Sequence, residues 1–154
     1  MSTLDNLPKS VLRVCRQNYI YLSFSNGIAL YLYAMKVRAI RGATQLAEDS
    51  VSEMKECVTE LLTEIFVRNE LSNDDLISIH FTATPDLVSD FPAAAARSLN
   101  LSLIPLICST EIPVPGALPR VIRVMVHAYS SRKHEEIAHI YRRGAQILRK
   151  DLAQ

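Results

Sequence analysis

A chain of 154 residues, 49% hydrophobic and 21% charged, is long enough for one domain with a real core and is not disordered in composition. Its net charge of +1 supplies no electrostatic footprint for nucleic acid, and it has no GxGxxG or Walker-type glycine run to cradle a nucleotide. Cys15, Cys57 and Cys108 are odd in number and widely spaced, which argues against a disulfide framework or zinc knuckle and for reduced thiols in a cytoplasmic protein.

The first 34 residues differ from the rest. Lys9, Arg13 and Arg16 precede the apolar run "YIYLSFSNGIALYLYA", which resembles the basic and apolar regions of a signal peptide. The run is short for a membrane span and is broken by Ser23, Ser25, Asn26 and Gly27. Leu32 stands where a cleavage site before Ala34 wants a small residue. Three readings stay open for 1–34: a misassigned start or loosely ordered extension, a packing segment, or a targeting segment. No membrane association is expected. Met35 opens the domain proper, 35–154.

From there the pattern is regular. "KVRAIRG" (36–42) alternates as a first strand. Residues 49–71 place Val51, Met54, Val58, Leu61, Leu62 and Ile65 at helical spacing, with Ser50 or Asp49 as cap and Glu53 placed for a capping box. "DLISIHFTAT" (75–84) is a second strand ending at Pro85, and "SDFPAAAARSLN" (89–100) a short helix capped by Ser89 or Asp90. "LIPLICS" (103–109) and the β-branched "RVIRVMVHAYS" (120–130) are further strands. "HEEIAHIYRRGA" (134–145) reads as a last helix and "QILRKDL" (146–152) as a strand-like or irregular tail. Alternating strands and helices predict an α/β or α+β layer with helices on one sheet face. The bare face then needs cover, which a homo-oligomer would supply.

Familiar catalytic signatures are missing. His134 and His139 are five apart, about 500° around a helix, so they share no face as zinc ligands would; they read as a solvated helix surface, and no metal site is expected. There is no GxSxG elbow, and Cys108 at a strand end reads more simply as packing than as a nucleophile. What remains is an arginine set: Arg38, Arg41, Arg97, Arg120, Arg123, Arg142, Arg143 and Arg149. Arg123 stands out because apolar residues flank it in "VIRVMV", and Arg41 is a second candidate beside Gly42. Guanidinium groups bind carboxylates through paired, directional hydrogen bonds, so a small polyanion is the ligand these residues suggest.

The stretches "VRAIRGATQ", "FTATPDL", "FPAAAAR", "PLICSTEIPVPGALPRVIRVMVH" and "HIYRRGAQILRKDL" carry a resemblance. From Met35 to about Leu152 the chain resembles the AroH-class chorismate mutases. The resemblance implies an α+β fold, a mixed sheet with helices on one face, assembling as a pseudo-barrel homotrimer with sites between subunits. It implies rearrangement of chorismate to prephenate in aromatic amino acid biosynthesis, with no metal, cofactor or covalent intermediate. Carried over by position, Arg123 would meet the breaking ether oxygen and a carboxylate. Arg41 and Tyr141 would bind the enolpyruvyl carboxylate, and Glu111 would accept from the ring hydroxyl near Cys108. Phe91 would line the pocket from a neighbouring subunit, and Arg97, Leu148 and Arg149 would close or steer its entrance. Ala94 departs from a lysine found in some members. A non-catalytic trimer of the same fold, binding a small metabolite, is the alternative.

Overall fold

The computed structural model describes residues 12–16, 19–23, 29–33 and 35–152. The chain divides into two units, 1–36 and 37–154. In the first, β1 (Leu12–Arg16), β2 (Tyr19–Ser23) and β3 (Ala29–Tyr33) form an antiparallel sheet, with Val14 opposite Tyr21 and Tyr21 opposite Tyr31. The signal-like pattern of this segment did not predict strands. Lys9 and the Ser25–Gly27 interruption lie outside the described residues.

The second unit is built on a five-stranded sheet in the order β6–β5–β7–β4–β8. Its strands are β4 (Lys36–Gln45), β5 (Leu76–Ala83), β6 (Leu106–Thr110), β7 (Val121–Ser130) and the two-residue β8 (Ile140–Tyr141). β5 runs parallel to β6 and antiparallel to β7, and β8 runs parallel to β4, so the sheet is mixed.

Helix α1 (Val51–Asn69) forms where the apolar spacing predicts it. The Ser50 hydroxyl accepts the Glu53 N–H, but the Glu53 carboxylate accepts from Ala47 N–H (3.1 Å) rather than closing a box on Ser50. Its buried stripe, Met54, Val58, Leu61, Leu62 and Ile65, packs into one cluster with Ile40, Ile79, Phe81, Ile122 and Val124 of the sheet. Burying each such side chain contributes roughly 1.5–3 kcal/mol. The shorter α2 (Pro92–Ala96) is capped by neither predicted residue: Phe91 is the N-cap, Pro92 occupies the first turn, and Asp90 accepts the Phe91 N–H instead.

Period-two alternation divides the strands between this core and an open face. Ile79 and Phe81 are fully buried, whereas His80 and Thr82, which alternate with them, are not; on β7, Val124 and Val126 are buried while Arg123 is exposed.

The last helix expected from "HEEIAHIYRRGA" does not form. A 3₁₀ turn at His134–Glu136 leads into β8, and a 3₁₀ segment, Arg143–Leu152, replaces the expected tail. Tertiary partners decide this. The Asn69 side chain donates to Ala138 O (2.8 Å) and accepts from Ala138 N–H (2.9 Å), and Arg142 N–H donates to Ala43 O. Ile140 becomes fully buried. A sheet edge that satisfies the backbone while burying an isoleucine outweighs a weak local helix preference.

Candidate active site

Strand alternation aims Arg41, Thr82 and Arg123 at the open face. There a cleft of about 240 Å³ is lined by Arg41, Gly42, His80, Thr82, Arg123 and Tyr141, among others. Gly42 lets the site lie against the core: a Cβ there would stand 2.8 Å from Ile65 Cδ1 and 3.0 Å from Val124 Cγ1.

Glu111 follows β6 and is largely buried. Its Oε1 accepts from the Thr82 hydroxyl (2.6 Å) and lies 3.4 Å from Arg123 Nε. Its backbone N–H donates to Ala83 O (2.9 Å), anchoring the start of the proline-rich loop beside β5. Arg123 is thereby oriented by a carboxylate that is itself held, while 48% of its side chain stays exposed toward the cleft.

Arg41 is positioned through its backbone. Its N–H donates to His139 Nδ1 (3.1 Å), so that nitrogen must be unprotonated. Burial, then the charges of Arg41 and Arg149, hold the His139 pKa below its ordinary value. His139, expected as solvated helix surface, is thus a half-buried acceptor beside the site. Among the described residues no carboxylate pairs with the Arg41 guanidinium.

Other members of the arginine set are engaged elsewhere. Arg38 is buried and donates to Arg132 O (2.8 Å); Arg120 donates to Leu46 O (3.2 Å); Arg142 and Arg143 pair with carboxylates of α1. Leu148 packs with Tyr141 against Ala43, Val121 and Ala145, which brings the tail to the cleft's edge. Arg149, at a kink in the 3₁₀ segment, exerts its charge on His139.

Three predicted residues, Cys108, Phe91 and Arg97, lie elsewhere in the same chain. Cys108 pairs in register with Phe81, so it faces the core side, and with Phe91 it lines a second cleft of about 310 Å³. Burial raises the Cys108 thiol pKa, against the opposing influence of the Ala93 backbone and the Arg97 charge. Phe91 is 71% exposed and Arg97 is also exposed. The predicted set therefore divides into an Arg41–Arg123–Tyr141–Glu111 surface and a Phe91–Cys108–Arg97 surface. Sequence reasoning missed Thr82 and His139. The outward phase of "HFTAT" could have indicated Thr82; nothing local indicated His139, whose partner is 98 positions away.

Residues 37–152 match the family model described as chorismate mutase type I. The chain belongs to the type I chorismate mutase family. It is 41% identical over 117 residues to the chorismate mutase AroH of Thermus thermophilus, covering 75% of this chain and 96% of that protein. It is 35% identical over 120 residues to that of Bacillus subtilis, covering 77% and 94%. A solved chorismate mutase from Clostridium thermocellum superposes with a TM-score of 0.70 at 42% identity, covering 71% of this chain and 98% of that one. The similarity lies in the second unit, where the cleft is found. Among the described residues no group of three or more His, Cys, Asp or Glu could hold a metal, and no helix is long and apolar enough to cross a membrane.

Proposed function

We propose that this chain is a chorismate mutase, converting chorismate to prephenate by a Claisen rearrangement in aromatic amino acid biosynthesis. The observation that carries the reading is the juxtaposition of Arg41, Arg123 and Tyr141 in one cleft, with Arg123 oriented by a Glu111 that Thr82 holds. Two guanidinium groups suit a flexible dianion, which has to be folded into its reactive chair. As the ether bond breaks, negative charge grows on its oxygen, and a cation placed there stabilises the transition state more than the ground state. An acceleration of ~10⁶ would require about 8 kcal/mol of such differential stabilisation. In this reading Arg123 meets the ether oxygen and a carboxylate, Arg41 and Tyr141 bind the enolpyruvyl carboxylate, and Glu111 accepts from the ring hydroxyl. No proton transfer or covalent bond to the enzyme is required.

The assembly we propose is a homotrimer with sites between subunits. Two features support it. The open sheet face exposes Val37, Ile107 and Tyr129, and Phe91 is exposed beside a cleft of its own. The Phe91–Arg97 surface of one protomer would complete the Arg41–Arg123 cleft of the next. The domain in this reading is 35–154, 1–34 is an appended segment, and the enzyme works in the cytoplasm, where Cys57 and Cys108 remain reduced.

The test is an absorbance assay of chorismate loss with purified full-length protein, with prephenate identified as product. Saturable turnover without added metal or cofactor is expected. A folded trimer that binds chorismate without converting it would establish the non-catalytic alternative.

A further inference from the structure

Tyr141 reaches the cleft from a strand of two residues. β8 is paired with β4 through Gly42–Ile140 and Ala43–Tyr141, and such a short edge ladder is a weak anchor by itself. The next two residues supply another. Glu53, Glu56, Glu60 and Glu64 follow one another at three- and four-residue spacing along α1, so they form one carboxylate row. Alone, such a row repels itself. Arg143 spends all three guanidinium nitrogens on it: Nε to Glu60 Oε2 (3.1 Å), Nη1 to Glu53 Oε1 (2.7 Å) and Nη2 to Glu56 Oε1 (2.8 Å). Arg142 places Nη2 on Glu60 Oε1 and Nη1 on Glu64 Oε2 (2.8 Å). Glu60 thus bridges both arginines, and its pKa is lowered, chiefly by the hydrogen bond from Arg142.

The backbone at Arg143 is strained. Arg143 has φ of 52°, a left-handed conformation that glycine would adopt at less cost. Glycine stands instead at 144, where a Cβ would fall 1.7 Å from Gln45 Oε1. That oxygen is the far end of a side chain that can move aside, so the cost at this turn lies at Arg143, which holds a left-handed backbone while its guanidinium reaches α1.

We infer that Arg142 and Arg143 are positioning residues: they lock β8 and the 3₁₀ tail to the carboxylate row of α1, so that Tyr141 and Leu148 stand at the cleft before substrate arrives. This rests on reading the cleft as the chorismate site. Neither arginine is aimed at substrate, because all three guanidinium nitrogens of Arg143 and both Nη atoms of Arg142 are committed to α1. Their contribution is to remove the ordering cost from binding, which acts on KM rather than on the chemical step.

The experiment compares the full-length parent with Arg143→Met, which keeps much of the apolar stem and removes the charge. At low salt the variant should show a KM for chorismate about 5-fold higher, with kcat within about twofold, as expected of a partly exposed ion-pair network. At about 1 M salt, where the screening length is ~3 Å, the ratio of the two KM values should fall toward one. A packing defect would leave that ratio independent of salt. Arg143→Lys, with one ammonium in place of the fork, should be intermediate. Amide hydrogen exchange at 140–145, without substrate, should be faster in Arg143→Met than in the parent at low salt. Glu56→Gln, which removes one exposed contact, should shift exchange in the same direction by less. A KM unchanged or raised equally at all salt concentrations overturns the inference, as does unchanged exchange in both variants. Because exchange needs no substrate, it still decides the clamp if the parent proves unable to convert chorismate.

Discussion

Removing Arg123 separates electrostatic catalysis from binding and from stability. Its only ion pair among the described residues is with Glu111 at 3.4 Å, and nearly half of its side chain is exposed. With its arginine half open to solvent and Glu111 still hydrogen-bonded to Thr82, the pair contributes about 1 kcal/mol to folding. Arg123→Ala should therefore fold, with Tm lowered by about 4 °C. The catalytic loss should be much larger. Deleting one preorganised donor to a developing anion typically costs about 2.7–4 kcal/mol, or 10²–10³-fold in kcat. Here the loss is compounded, since Glu111 stays in place on Thr82 and its carboxylate is left facing the substrate's own negative charge. Replacing Glu111 by Gln in the Arg123→Ala background should therefore recover part of KM and little of kcat. Arg123→Lys should also be poor, because a point charge on a flexible stem does not reproduce the planar fork. The assay is steady-state chorismate turnover with circular dichroism and sedimentation on the same samples. A folded Arg123→Ala assembly with kcat within a few-fold of the parent would refute the electrostatic mechanism.

Gly42→Ala should destabilise by about 1–3 kcal/mol in urea melts, because the new methyl group meets Ile65, Val124 and Leu61 at 2.8–3.1 Å inside a packed core. His139 should make stability fall on the acid side. Its folded pKa is lowered from 6.5, so below that value the unfolded chain takes up a proton that the folded chain resists. Stability is lost as pH falls through 6.5 and levels off once the folded pKa is passed; His139→Gln should flatten this slope in melts between pH 5 and 7.5. Sedimentation equilibrium of the full chain should return a trimer, and a fully active monomer would eliminate the shared site. Activity should be nearly independent of pH just above neutrality, since arginine stays charged there, whereas general acid–base chemistry would give a profile set by a group titrating near 7.

The core helix, the main strands and the leading cation are legible in the amino-acid sequence alone. Residues 51–69 carry a 3.6-residue apolar period, and "VIRVMV" carries a period of two, and both periods are local properties of a chain segment. For the same reason Arg123 stands out, as a charge on the strand phase opposite to its apolar neighbours. The end of the chain obeys different rules. "HEEIAHIYRR" has enough helical character locally, yet Asn69, Ala43 and the edge of β4 supply its backbone partners from 69 to 99 positions away, and they make it a turn leading into a two-residue strand. The pairing of Glu111 with Thr82, the acceptor role of His139 and the commitment of Arg142 and Arg143 to α1 likewise depend on the topology that brings strands and helix together. Periodicity tells which face a side chain occupies; which group meets it across that face is set by chain crossings that no segment encodes alone.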